Sequence, residues 1–237
     1  MIFRQFPEII FGFSKRHDSD SIPPFHINLS LSVGDDPEKV RHYRKTFYSE
    51  LGLSEENVVL QKQIHSDICS YVDKGGSAGE SDALITDRKG LGLGVSFADC
   101  TPVFIYDRRN KVIAGVHSGW RGTRSAIVAK TLTRLKEMYG SDPMFMYCYV
   151  GPSISQKNYE VGPEVADQFD PIYSEEVDGK FYLNVKKANY DMLIAYGIPA
   201  ENIQMSQLCT YENESLLHSY RRDGAAGGRH VGLIALK

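Results

Sequence analysis

The sequence predicts an α+β fold: a mixed β-sheet core with flanking helices, in a single domain spanning residues 1–237. Three observations predict it. Short β-like runs bounded by Gly, Asp or Asn recur along the chain, several of them apolar on both faces, as in a covered sheet. Only three stretches carry a clear helical period, so strands and helices do not alternate as a doubly wound sheet demands. No linker-like, repetitive or low-complexity segment divides the chain, and 237 residues suffice for one substantial core.

The elements follow in order. "DDPEKVRHYRKTFYSELG" is the first helix: Asp35 or Asp36 can cap it, Pro37 suits its first turn, and Gly52 can end it. Val40, Tyr43, Phe47 and Leu51 share its inner face. "VVLQKQI", "ICSYV", "DALIT", "LGVSFA", "PVFIYD" and "KVIAGVH" read as strands. A second helix is expected from about Thr123 to Tyr139, with Ile127, Val128, Thr131, Leu132, Leu135 and Met138 inward and Gly140 as its stop. "MFMYCYVG" is another buried strand and "GPEVADQFD" a short helix. "NVKKANYDMLIAYGIP" is a helix capped by Asn184 and closed by Gly197 and Pro199; "IQMSQLCT" and "HVGLIAL" complete the chain as strands.

Composition narrows the function. A net charge of −3 with no Lys/Arg-rich run argues against nucleic-acid or membrane-surface binding. No apolar run approaches a membrane span, and "MIFRQFPEIIFGF" is too short and interrupted for a signal peptide. Cys69, Cys100, Cys148 and Cys209 are widely spaced, so they read as reduced thiols and the expected compartment is the cytoplasm.

Chemistry concentrates at three strand ends. His65 follows "VVLQKQI", Cys100 follows "LGVSFAD", and His117 ends "KVIAGV" inside "GVHSGWRGT". If those strands neighbour each other in one sheet, two imidazoles and a thiolate converge. That set suits zinc: three protein ligands plus an open position is the catalytic pattern. The spacing matches no short zinc motif. A fourth ligand from Cys69 would instead close a structural site, and Cys100 with His117 as base is a competing nucleophile arrangement.

The segments "QIHSD", "SDALIT", "FADCTPVFIYD", "AGVHSGWRGT", "VGPSISQKNYEVG" and "CTY…SYRRDGAAGGRHVGLIAL" resemble the laccase-domain family, from "NLSLSVGDDPEKV" to the C-terminus. Its members were first labelled multicopper polyphenol oxidases and are now described as purine nucleoside phosphorylases with adenosine deaminase activity. The resemblance implies that His65, Cys100 and His117 bind zinc, with copper as the alternative, and that the partners are purine nucleosides (adenosine, inosine, S-methyl-5'-thioadenosine) and phosphate. The chain departs from the family pattern at Ser118, at Tyr43 and Arg44, at Ser153 to Asn158 and at Glu212, none of them a proposed ligand.

Given such a site, Arg121 is the leading candidate to hold an anion, beside a helix amino terminus; Arg221 and Arg222 are weaker ones. Trp120 is expected to wall the pocket, and Asn28 lies in a segment similar to one near the family's site. Asp82 or Asp99 can orient a ligand histidine or cap a turn. Gly119 and Gly122 would let backbone approach a ligand. Some relatives are implicated in editing peptidoglycan precursors, which leaves an amidase reading open. A multicopper oxidase needs more imidazoles than seven histidines offer, and His17, His26, His42, His218 and His230 share no pattern in sequence.

Overall fold

In the computed structural model, which describes residues 1–17 and 21–237, four layers stack on one another. The strands are β1 Ile9–Phe13, β2 Val58–Lys62, β3 Cys69–Tyr71, β4 Gly76–Glu80, β5 Ala83–Thr86, β6 Gly92–Phe97 and β7 Thr101–Asp107. After these come β8 Val112–Ser118, β9 Met146–Val150, β10 Glu160–Val161, β11 Ser174–Val177, β12 Lys180–Leu183, β13 Ile203–Met205 and β14 His230–Leu236. The helices are α1 Pro37–Glu50, α2 Trp120–Arg124, α3 Ile127–Tyr139, α4 Pro163–Ala166, α5 Val185–Ala195 and α6 Tyr220–Asp223.

One mixed sheet runs β1-β14-β6-β2-β4 and a second runs β13-β9-β7-β8-β5-β3, while β10-β12-β11 form a small separate ribbon. Period-two alternation sorts the side chains between layers. Val103 and Ile105 of β7, with Val112, Ala114 and Val116 of β8, face α3 and α5 in one apolar cluster. Their neighbours Phe104, Tyr106 and Ile113 turn the other way, meeting Leu93, Val95 and Ile234 between the sheets. Val231, Leu233 and Ala235 of β14 face Phe47 and Tyr48 of α1. Strands apolar on both faces are thus explained: both are covered.

The α1 helix matches its sequence reading, with Asp36 accepting from the Glu38 N–H and Pro37 in the first turn. The second helix does not. It starts earlier, at Trp120, and breaks at Ala126, whose φ of +57° is left-handed. The buried hydrogen bonds of Thr123 to Gly119, Ser118 and Asn189 fix the first turn and interrupt the continuous helix expected from Thr123. Met138 is also exposed rather than inward, because Tyr139 takes the adjoining place against the core. Of "IQMSQLCT" only Ile203–Met205 pairs with β9; beyond it the Lys186 ammonium donates to the carbonyls of Ser206 and Leu208, drawing them away from a ladder.

Candidate metal centre

Each of the three predicted ligands has its own local cause. Beyond β2, the Gln63 amide extends the ladder to β6 by accepting from the Ser96 N–H and donating to the Ser96 carbonyl, both at 2.8 Å. This ties down the loop and leaves the next turn free to project His65. That turn is organised by Asp82, whose carboxylate accepts from the backbone N–H groups of Ile64, His65 and Ser66 and from the Ser66 hydroxyl. His65 is held there at φ +60°.

Cys100 ends the three-residue crossing, Ala98 to Cys100, from β6 of one sheet to β7 of the other. Asp99, at φ +90°, makes the corner; its carboxylate accepts from the Thr210 hydroxyl and the Arg221 N–H, each at 2.6 Å. His117 is an internal residue of β8, buried, with its N–H donated to the Asp82 carbonyl at 2.7 Å. The expectation of convergence within one sheet is therefore corrected. His65 leaves the first sheet, His117 belongs to the second, and Cys100 lies on the strap between them, so the point of meeting is the end of the sandwich.

The ligand atoms of His65, Cys100 and His117 all lie within 4.8 Å of one another, and among the described residues they are the one such group. Cys100 Sγ is 3.9 Å from His65 Nε2. Ligands about 2.0–2.3 Å from a tetrahedral ion stand roughly 3.3–3.8 Å apart, so a small closing movement seats a metal. The backbone makes room for the thiol: a Cβ on Gly119 would lie 2.8 Å from Cys100 Sγ and 3.1 Å from His65 Cδ2. Cys69 is not among the three; it packs in the helix-facing layer, where burial pushes its thiol up to about 11.

Asp82 orients as well as caps. Its Oδ1 lies 2.9 Å from His117 Nδ1, so the imidazole donates there and turns Nε2 toward the other ligands. Burial opposes a charge on Asp82, but the hydrogen bonds from His117 and Ser66 outweigh it and hold the carboxyl at about 2. Burial likewise raises the Cys100 thiol, yet His117 and then His65 bring it down to about 6. On His117 burial lowers basicity, and Cys100 with Asp82 overcomes it, raising the ring to about 9. Both shifts favour the thiolate and imidazolium forms, an arrangement suited to exchanging a proton for a cation.

The triad opens on a cleft of about 1000 Å³. Trp120 and Arg121 line it, the guanidinium carbon 4.3 Å from the indole centroid. The helix they begin is a single turn of five residues. Arg221 lines it too, lying over the Tyr159 ring and donating to the Glu160 carbonyl at 2.9 Å. Arg222 does not; its guanidinium bonds the carbonyls of Thr210, Tyr211 and Leu217 and the Asp223 carboxylate. Asn28 is fully buried outside the lining, and its amide bonds Ser30, Asp35 and the Arg229 N–H. Arg44 of α1, Tyr220 of α6 and the loop residues Tyr159 and Arg229 also line the cleft; none was a site candidate from sequence, because no spacing pattern links them. Four of the five histidines without a shared pattern meet elsewhere, His218 against His230 and His17 against His26. Among the described residues no helix is long and apolar enough to cross a membrane.

A family model described as multi-copper polyphenol oxidoreductase laccase matches residues 10–237. A purine nucleoside phosphorylase of Corynebacterium glutamicum is 34% identical over 233 residues, covering 94% of this chain and 93% of that protein. An adenosine deaminase from an unknown prokaryotic organism is 33% identical over 221 residues, covering 86% of this chain and 84% of that one. The crystal structure of the hypothetical protein YfiH from Bacillus licheniformis superposes with a TM-score of 0.93 at 31% identity, covering 99% and 94% of the two chains.

Proposed function

This chain belongs to the family described as multi-copper polyphenol oxidoreductase laccase, and from that premise we propose that it is a zinc-dependent purine nucleoside phosphorylase with adenosine deaminase activity. Its substrates are adenosine, inosine and S-methyl-5'-thioadenosine with phosphate, residues 1–237 act as one unit, and the compartment is the cytoplasm. One observation carries the reading: two histidines and a cysteine meet at a single point on a nucleoside-sized cleft. Proteins similar along most of the chain bear both enzyme names.

Zinc held by His65, Cys100 and His117 would supply Lewis acidity close to the reacting groups. In this reading Cys100 is a ligand and not a nucleophile, because a bound ion would occupy its sulfur. Asp82 fixes the His117 tautomer so that Nε2 keeps a lone pair for the metal. In phosphorolysis, phosphate oxygen bonds to the ribose anomeric carbon as the carbon–nitrogen bond to the purine breaks, and positive charge develops on the sugar. Arg121, its guanidinium placed over Trp120, holds the attacking anion against that charge. Trp120 also walls the substrate. Asn28 contributes indirectly, by fixing the backbone of Ser30 and Arg229, which line the cleft.

The test is a nucleoside panel with and without phosphate, read by chromatography. Inosine with phosphate is expected to give hypoxanthine, and adenosine alone to give inosine and ammonia. No base release at high enzyme, with amide cleavage of a peptidoglycan precursor instead, overturns the reading. Metal analysis should return about one zinc per chain. Copper suits the same thiolate–imidazole set; copper with phenol oxidation would favour the chemistry in the family's description.

A further inference from the structure

Tyr48 of α1 and Gln61 of β2 line the same cleft as the triad. Three polar atoms there, the Tyr48 hydroxyl and both amide atoms of Gln61, are screened from water and have no hydrogen-bond partner. Tyr48 is 2% exposed. Buried polar atoms are almost always paired, and three orphans on two neighbouring elements of one cleft call for a polar ligand. Leu29, Val58 and Leu60 supply apolar wall in the same cleft, with Arg44 and Glu55 as the charged neighbours of Tyr48. An apolar slot with a few hydrogen-bonding atoms suits a flat heteroaromatic ring.

We propose that the α1–β2 end of the cleft seats the purine base, its edge hydrogen-bonded by the Gln61 amide and the Tyr48 hydroxyl, with the ribose directed toward the triad. The placement rests on the phosphorylase reading above. A carboxamide presents a donor beside an acceptor, and rotating it by half a turn exchanges them. In one setting it matches a 6-amino group beside a ring-nitrogen acceptor, in the other a 6-oxo group beside a ring N–H. One residue thereby serves both adenosine and inosine. Tyr48 stays protonated, and so a donor, because burial pushes its hydroxyl up to about 12. Gln61 and His65 are four residues apart, at most about 14 Å of extended chain, which is the span of a nucleoside with its phosphate. In this pose C6 of the base points away from the triad, so deamination needs the reversed pose.

Gln61→Met and Tyr48→Phe remove only the orphaned polar atoms. In each, KM for inosine phosphorolysis is expected to rise about tenfold or more, with kcat changed less than about threefold. Zinc content should hold, and the melting temperature of the free protein should stay level or rise, since an unpaired buried group has been removed. If the wild type is active and neither variant shifts KM beyond about twofold, the placement is wrong while the phosphorylase reading stands. A fall in melting temperature in both variants also overturns it, by showing that these atoms serve the fold. A zinc-loaded wild type inactive on every nucleoside overturns the reading and the placement together.

Discussion

Histidines are buried at two places in this chain, His117 at one and His218 with His230 at the other, under the same penalty and with opposite results. At the metal centre, burial works against a charge on His117, but a thiolate and the Asp82 carboxylate more than restore it. In the second group, His218 donates its Nε2–H to the Ile27 carbonyl at 3.0 Å, and its backbone N–H donates to His230 Nε2 at 2.7 Å. The close cation is Arg16, itself bridged to Glu214 and Asp223. Burial there holds His218 down to about 3 and His230 well below its ordinary value. The anion within reach, and not the depth of burial, separates a histidine ready to hold a cation from one that fastens a fold.

The largest effect expected from this contrast is on metal content. His117→Ala should lose zinc to background in the purified protein, whereas His218→Ala should keep about one equivalent while losing stability; the reverse pattern would erase the distinction. Next in size is Asp82→Asn. It keeps an oxygen for His117 but removes the charge and part of the turn around His65, so affinity measured by chelator competition should fall about 10–100-fold.

Acidity then sharpens the comparison with two different slopes. Between the Cys100 value of about 6 and the His117 value of about 9, the metal-free site is thiolate and imidazolium, so an entering ion displaces one proton. Affinity should accordingly gain about tenfold per pH unit over that window, and fall more steeply below it, where the thiol is protonated too. A titration that is flat across this window would contradict the assignment. The second group is read in stability and not in metal affinity. His218 is depressed from 6.5 to about 3, so the unfolded chain takes up a proton that the buried ring refuses. Its stabilising contribution is full above about pH 6.5 and is lost as pH falls toward 3, by at most about 1.4 kcal/mol per pH unit. His218→Asn should flatten that loss in denaturant midpoints taken at about pH 7 and 5.

Strands covered on both faces were legible because consecutive interior positions in them are apolar: "PVFIYD", "KVIAGVH" and "HVGLIAL" became β7, β8 and β14. Strand β4 was not, since "GSAGE" has no apolar period and exists through its pairing with β2. The β10–β12 ribbon is likewise largely exposed and carries little hydrophobic signal. Residue type and position at strand ends pointed to the triad, and family likeness selected it; the sheets to which its strands belong are a long-range matter that spacing does not encode. Asp82 shows the same limit. Its neighbours in sequence suggest a turn cap, yet its reach to His117, 35 residues on, is visible only once β5 lies beside β8.

Because Cys100 rides the strap between two stacked sheets while His65 and His117 hang from one sheet each, whatever ion they grip also acts as a rivet. Removing it would do more than silence chemistry. The open edge of the sandwich would be free to gape, and slow amide exchange in the Gln63–Ser66 turn and around Asp99 would quicken before the distant helices noticed.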